Sequence, residues 1–151
     1  PWCPQDWIAS DDTVRGGHSY SRLDFDNPHS IAVFNGFLDI KTLGGAGFAS
    51  QHTTGEDKKW DLSNYDGIAL DIWEGDGKKY TFSLKDLLLP PTEDGREQSV
   101  VSWDHDFTVS QNGACLKLYW SDFKPTFRGK EHNETAPLNL SQIRRFSLMI
   151  R

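Results

Sequence analysis

Ile68-Ala69-Leu70-Asp71-Ile72-Trp73 is followed by Gly75-Asp76-Gly77-Lys78 and then by Tyr80-Thr81-Phe82-Ser83-Leu84. Apolar residues recur at every second position in both runs. That period of two is the signature of a β-strand with one buried face. The Gly-Asp-Gly-Lys segment carries the turn chemistry of a hairpin, so the spacing predicts two antiparallel strands joined by a short loop.

The same pattern extends outward in both directions. Residues 19–25 place apolar Leu23 and Phe25 in alternation and end at the turn Asp26-Asn27-Pro28. Residues 31–34 and 37–40 are apolar groups separated by Gly36, which points to a bulge or a close backbone approach. Further strands are expected over residues 99–109, 114–119 and 145–150. Helix signals are confined to one turn at 140–143 behind a capping Asn139, and residues 61–64 read as a turn. Short, evenly spaced strands without strand–helix alternation indicate an all-β sandwich or barrel. At 151 residues the expectation is one β-sandwich domain over residues 1–151. Its last visible strand ends at the chain terminus, where a further covering strand is expected to be missing.

Composition narrows the function classes. The formal charge is −6 and short basic pairs such as Lys58-Lys59 and Arg144-Arg145 are isolated, so nucleic acid is not an expected partner. No apolar run approaches the ~20 residues of a membrane span. Cys3 and Cys115 show no metal or redox spacing and read as reduced thiols of an intracellular protein. Asn133-Glu134-Thr135 and Asn139-Leu140-Ser141 match the glycosylation sequon, and without a secretory signal both read as chance matches.

No catalytic constellation is visible. Ser50 follows Gly47-Phe48-Ala49, which is not a nucleophile elbow. In Asp104-His105-Asp106 a strand would place only the two aspartates on one face, so no metal site is expected. Gly44-Gly45-Ala46-Gly47 fits neither phosphate-loop pattern and reads as a bend before a strand. The aromatics are the better resource: Trp73, Tyr80, Trp103, Trp120 and Phe127 can present flat faces to sugar rings or fill the core.

Several blocks together resemble the complex I intermediate-associated protein 30 family. They are Asp11-Asp12-Thr13-Val14-Arg15-Gly16-Gly17-His18-Ser19, Gly45-Ala46-Gly47-Phe48-Ala49-Ser50, Trp60-Asp61-Leu62-Ser63 with Tyr65-Asp66-Gly67-Ile68, and Gly75-Asp76-Gly77-Lys78. Asp122-Phe123-Lys124-Pro125-Thr126-Phe127-Arg128-Gly129 and Ile143-Arg144-Arg145-Phe146-Ser147-Leu148-Met149 follow in the same order. The resemblance implies a galactose-binding-like jelly-roll β-sandwich of two antiparallel sheets. It also implies a non-catalytic, chaperone-like role in assembling respiratory complex I, with assembly intermediates or other assembly factors as protein partners. No cofactor or catalytic residue is implied. The location implied is mitochondrial, with the cytosol as the alternative because no presequence is visible. The alternative function is a carbohydrate-binding module with a glycan ligand.

Physical logic marks the expected binding residues. Arg15 beside Gly16-Gly17 and Arg128 beside Gly129 pair a rigid cationic fork with a backbone that bends tightly. Asp11, Asp12 and Asp122 are their expected carboxylate partners, either as a structural clamp or as a place for a ligand's acidic or hydroxyl group. Trp73, Trp103 and Trp120 complete the candidate set.

Overall fold

A computed structural model describes residues 2–151. Among them the chain is all-β. Its strands are β1 Trp7–Ala9, β2 Tyr20–Asp26, β3 Ile31–Phe37, β4 Ala49–Thr53, β5 Gly67–Ile72, β6 Lys79–Lys85, β7 Ser102–Thr108, β8 Ala114–Tyr119, β9 Lys124–Phe127, β10 Lys130–Glu131 and β11 Arg145–Ile150. The only helical pieces among the described residues are single 3-10 turns. The strands fall into two compact units. One contains the described residues up to Gly55 together with Ser147–Arg151, and the other is Glu56–Phe146. Each contains strands from two distinct antiparallel sheets, as a β-sandwich requires.

In the first unit β4 is central. β1 pairs with it from Trp7↔Thr53 to Ala9↔Gln51, and β11 pairs on its other side from Ser147↔His52 to Ile150↔Ala49. Flanked on both edges, β4 buries Ala49, Ser50, Gln51 and Thr53. β2 and β3 form a hairpin in register from Tyr20↔Phe37 to Asp26↔Ile31. The expected close approach at Gly36 is present: a Cβ there would lie 2.0 Å from the Tyr20 carbonyl oxygen.

In the second unit β6, β7, β9 and β10 form one sheet and β5 and β8 another. This corrects the hairpin expected across Gly75-Asp76-Gly77-Lys78. β5 pairs with β8, from Gly67↔Tyr119 to Ile72↔Ala114, and β6 pairs with β7, from Lys79↔Thr108 to Leu84↔Trp103. The connecting segment instead bonds to the chain leaving β7, with Gly75 N donating to Ser110 O and Gly77 N to Val109 O. Alternation specifies which face of a strand is buried, not which strand it pairs with.

The core of this unit is aromatic and aliphatic. Leu84 and Ile143 are fully enclosed, and Phe82, Leu118 and Phe123 are buried. Phe123 meets Phe82 edge-on at 6.4 Å and lies 6.0 Å from Trp120; Phe146 meets Trp60 at 4.8 Å. Asn139 caps the turn Leu140–Gln142 as expected, its side chain accepting from Ser141 N. Cys3 and Cys115 are free thiols at exposed positions.

Candidate functional site

In the first unit the paired aspartates form a buried knot. The turn Asp12–Arg15 is closed by Gly16 in the left-handed conformation. Asp12, with no exposed surface, accepts from Ser19 N at 2.9 Å, Ser19 Oγ at 2.6 Å and Phe48 N at 3.1 Å. Asp11 accepts from Ser21 N at 3.0 Å, Ser21 Oγ at 2.7 Å and Ser50 N at 2.9 Å. A buried carboxylate survives when several donors replace its water, and here each aspartate has three. Two glycines make the room. A Cβ on Gly17 would lie 2.3 Å from the Asp12 carboxyl carbon, and one on Gly47 2.2 Å from Asp39 O and 2.9 Å from Asp12 Oδ2.

Next to the knot, Asp39 N donates to Ser19 Oγ at 2.9 Å. The Asp39 carboxyl is held down to about 2, first by the Thr42 hydroxyl and then by the amides of Lys41 and Thr42. This network differs from the expected one. Arg15 does not bind either aspartate; its guanidinium lies 5.6 Å above the Phe48 ring. The oxygens of Asp11 and Asp12 are already occupied by serines and amides, so this arrangement holds three chain segments together and presents no free carboxylate.

The second unit disperses its candidates. Trp73 follows β5 and is 67% exposed, so its indole face is open to a ligand. Trp120 lies at the other end of the β5–β8 pair, where its indole N–H donates to Tyr65 O at 2.5 Å. Six strand residues separate the two ends, about 20 Å at the usual rise. Trp103 belongs to the other sheet, half-buried in β7 beside Leu84 and Pro125 in register. The three tryptophans of the candidate set are therefore not brought together. Asp122 is used locally, accepting from Tyr119 N at 3.2 Å to close the turn Trp120–Asp122.

The face of β6 and β7 that carries the aspartates is polar. Asp106 accepts from Thr81 Oγ1 at 2.6 Å, and Asp104 accepts from Ser102 Oγ at 2.7 Å and Thr126 Oγ1 at 2.9 Å. His105 points the other way, its ring 5.6 Å from Phe123, as the strand period requires. Among the described residues no group of three His, Cys, Asp or Glu could hold a metal ion. The same residues contain no helix long and apolar enough to cross a membrane.

Arg128 stands apart. β9 and β10 are joined by a two-residue turn, Arg128-Gly129, with Lys130 opposite Phe127. Both turn residues have positive φ, 51° and 77°, the pattern of a type I′ hairpin turn that favours Asn-Gly. A long side chain at the first position costs about 1 kcal/mol or more. The Arg128 guanidinium lies 5.3 Å above the Phe127 ring and has no carboxylate partner among the described residues. The sequence marked Arg128 beside Gly129 as a cation on a tightly bending backbone, but neither the two short strands that flank it nor its left-handed conformation was legible.

Comparison with known proteins places these features. The family model described as "Complex I intermediate-associated protein 30 (CIA30)" matches residues 3–151. A protein of Schizosaccharomyces pombe, described as "Uncharacterized protein C9E9.15", is 45% identical over 156 residues, covering 99% of this chain and 70% of that protein. The match runs through the aspartate knot, the glycines that admit it and the Arg128 turn alike, and the chain belongs to the complex I intermediate-associated protein 30 family.

Proposed function

We propose that this chain is a non-catalytic binding protein that holds intermediates of respiratory complex I during their assembly, and that it acts in mitochondria. The observation that carries the reading is the family match over residues 3–151. The architecture is compatible with it. The paired carboxylates of Asp11 and Asp12 are consumed by structural hydrogen bonds, whereas large side chains such as Tyr65 and Trp73 are exposed. The test is native affinity capture from solubilised mitochondria with the tagged protein. Recovery of complex I subunits or other assembly factors is expected; a catch free of both would sink the reading. Fractionation that found the protein only in the cytosol would remove its mitochondrial part.

A second reading, carbohydrate binding, is favoured by one observation, the 67% exposure of Trp73. An exposed indole face is the kind of surface on which a sugar ring stacks. A glycan array tests it, and signals abolished by Trp73→Ala are expected. An array without signals would dispose of this reading.

A further inference from the structure

We propose that the β9–β10 hairpin tip, centred on Arg128, is a docking point for an acidic segment of a partner protein; the proposal rests on the partner-binding reading above. Three independent features converge there. First, the backbone at Arg128 adopts φ 51°, a conformation that glycine or asparagine would take with less strain. Backbone strain of this kind is held by the surrounding structure and clusters at active sites and ligand clamps. Second, the side chain does little for the fold. Its contact with the Phe127 ring orients the guanidinium, and no acceptor for its N–H groups occurs among the described residues.

Third, the tip itself is locally cationic in a protein of net charge −6: Arg128 and Lys130 stand against the single carboxylate of Glu131, while Lys124, at the far end of β9, lies opposite Asp104. Arg128, Gly129 and Lys130 are all exposed. A planar guanidinium at the hairpin tip matches a carboxylate with two parallel hydrogen bonds, and Lys130 adds attraction at longer range.

An acidic peptide segment fits better than an anionic membrane. Lipid-binding basic clusters bring about four to eight cations together, more than this tip has. The only large apolar side chain at the tip, Phe127, is 36% exposed and is overlaid by Arg128, leaving little to insert among acyl chains.

Arg128→Asn tests the proposal because asparagine suits the turn. The variant is expected to fold, with a Tm unchanged or about 2 °C higher. The probe is a labelled twelve-residue peptide of alternating Glu and Asp with blocked ends, followed by fluorescence anisotropy and by amide shifts. The wild-type protein is expected to bind it with shifts centred on residues 124–132. The affinity should fall about tenfold with Arg128→Asn and further as salt rises. Equal binding by both proteins, shifts centred elsewhere, or tip-dependent binding to phosphatidylserine vesicles in place of the peptide would overturn it. Capture of complex I intermediates separates the two readings. Capture undiminished by Arg128→Asn keeps the assembly role and sinks the tip. Peptide binding at the tip in a protein that captures no complex I component does the reverse.

Discussion

At the scale of single residues, the adjacent glycines at 16 and 17 have different tasks. Gly16 takes φ 80° with open space around its missing Cβ, whereas a Cβ on Gly17 would strike the Asp12 carboxyl at 2.3 Å. That carboxylate cannot swing aside without releasing Ser19 N and Phe48 N into a buried setting, at about 1–3 kcal/mol for each unsatisfied donor. Gly17→Ala is therefore expected to destabilise the protein by about 3 kcal/mol or more, and Gly16→Ala by only about 1 kcal/mol. Urea unfolding of the two variants checks this; equal losses would mean that the knot yields easily. The aspartate pair was visible in the sequence, but its partners were not. Charge logic suggested Arg15, four residues from Asp11, whereas the actual donors at Phe48 and Ser50 lie 36 and 39 residues away. Nothing in local spacing announces an amide that distant.

At the scale of elements, one side chain ties the long connection between β6 and β7 to two strands. Glu97 accepts from Lys85 Nζ at 2.8 Å and from Arg145 Nε at 3.1 Å, joining this connection to strands β6 and β11. Arg145 is 6% exposed, so losing its carboxylate leaves a nearly enclosed cation short of compensation. Glu97→Ala is expected to cost about 2–4 kcal/mol. It should also open residues 86–101 to limited proteolysis before the strands are cut. A cleavage pattern identical to wild type would show that the turn at Thr92–Arg96 and the Gln98–Pro90 bond secure the segment alone. Legibility differed between strands and their pairings. The alternating runs at 114–119 and 145–150 coincide with β8 and β11; in β8 the alternation matches a strand with one exposed face, whereas β11 has no exposed residue on either face. The assumed β5–β6 hairpin failed because two alternating runs around a glycine turn look alike whether they pair with each other or with distant strands. The brief β1 and β10 carried too few residues for a period to show.

At the scale of the whole molecule, the ionisable groups set an acid limit that draws on both units and an alkaline limit that lies in the second. Asp39 and Asp94 are each held at about 2 against an ordinary 3.8, chiefly by the hydroxyls of Thr42 and Thr92 respectively. Asp61 is lowered as well, first by the Ser63 hydroxyl. Burial alone would raise Asp76, but hydrogen bonds from Lys78 and Tyr80 outweigh it and lower its pKa. A carboxyl with a depressed folded pKa stabilises fully above its unfolded value and loses that contribution as pH falls. The acid limb should therefore begin near 3.8 and run toward about 2, drawing on Asp39 in the first unit and on the others in the second. Tyr80 behaves oppositely. Burial, reinforced by Asp76, pushes it up to about 12 from 10.0, so its contribution is complete below 10.0 and disappears as pH rises toward about 12. All of that alkaline dependence belongs to the second unit. Melting curves from pH 2 to 12 should thus fall at both ends, and Tyr80→Phe should flatten the alkaline side while only slightly softening the acid side, where Asp76 loses the hydrogen bond from Tyr80 but keeps those from Lys78 and where Asp39, Asp61 and Asp94 are untouched. Methyl signals of Glu56–Phe146 should broaden first above pH 10. An alkaline limb unchanged in Tyr80→Phe would show that lysine deprotonation, not the Tyr80–Asp76 pair, sets the upper limit.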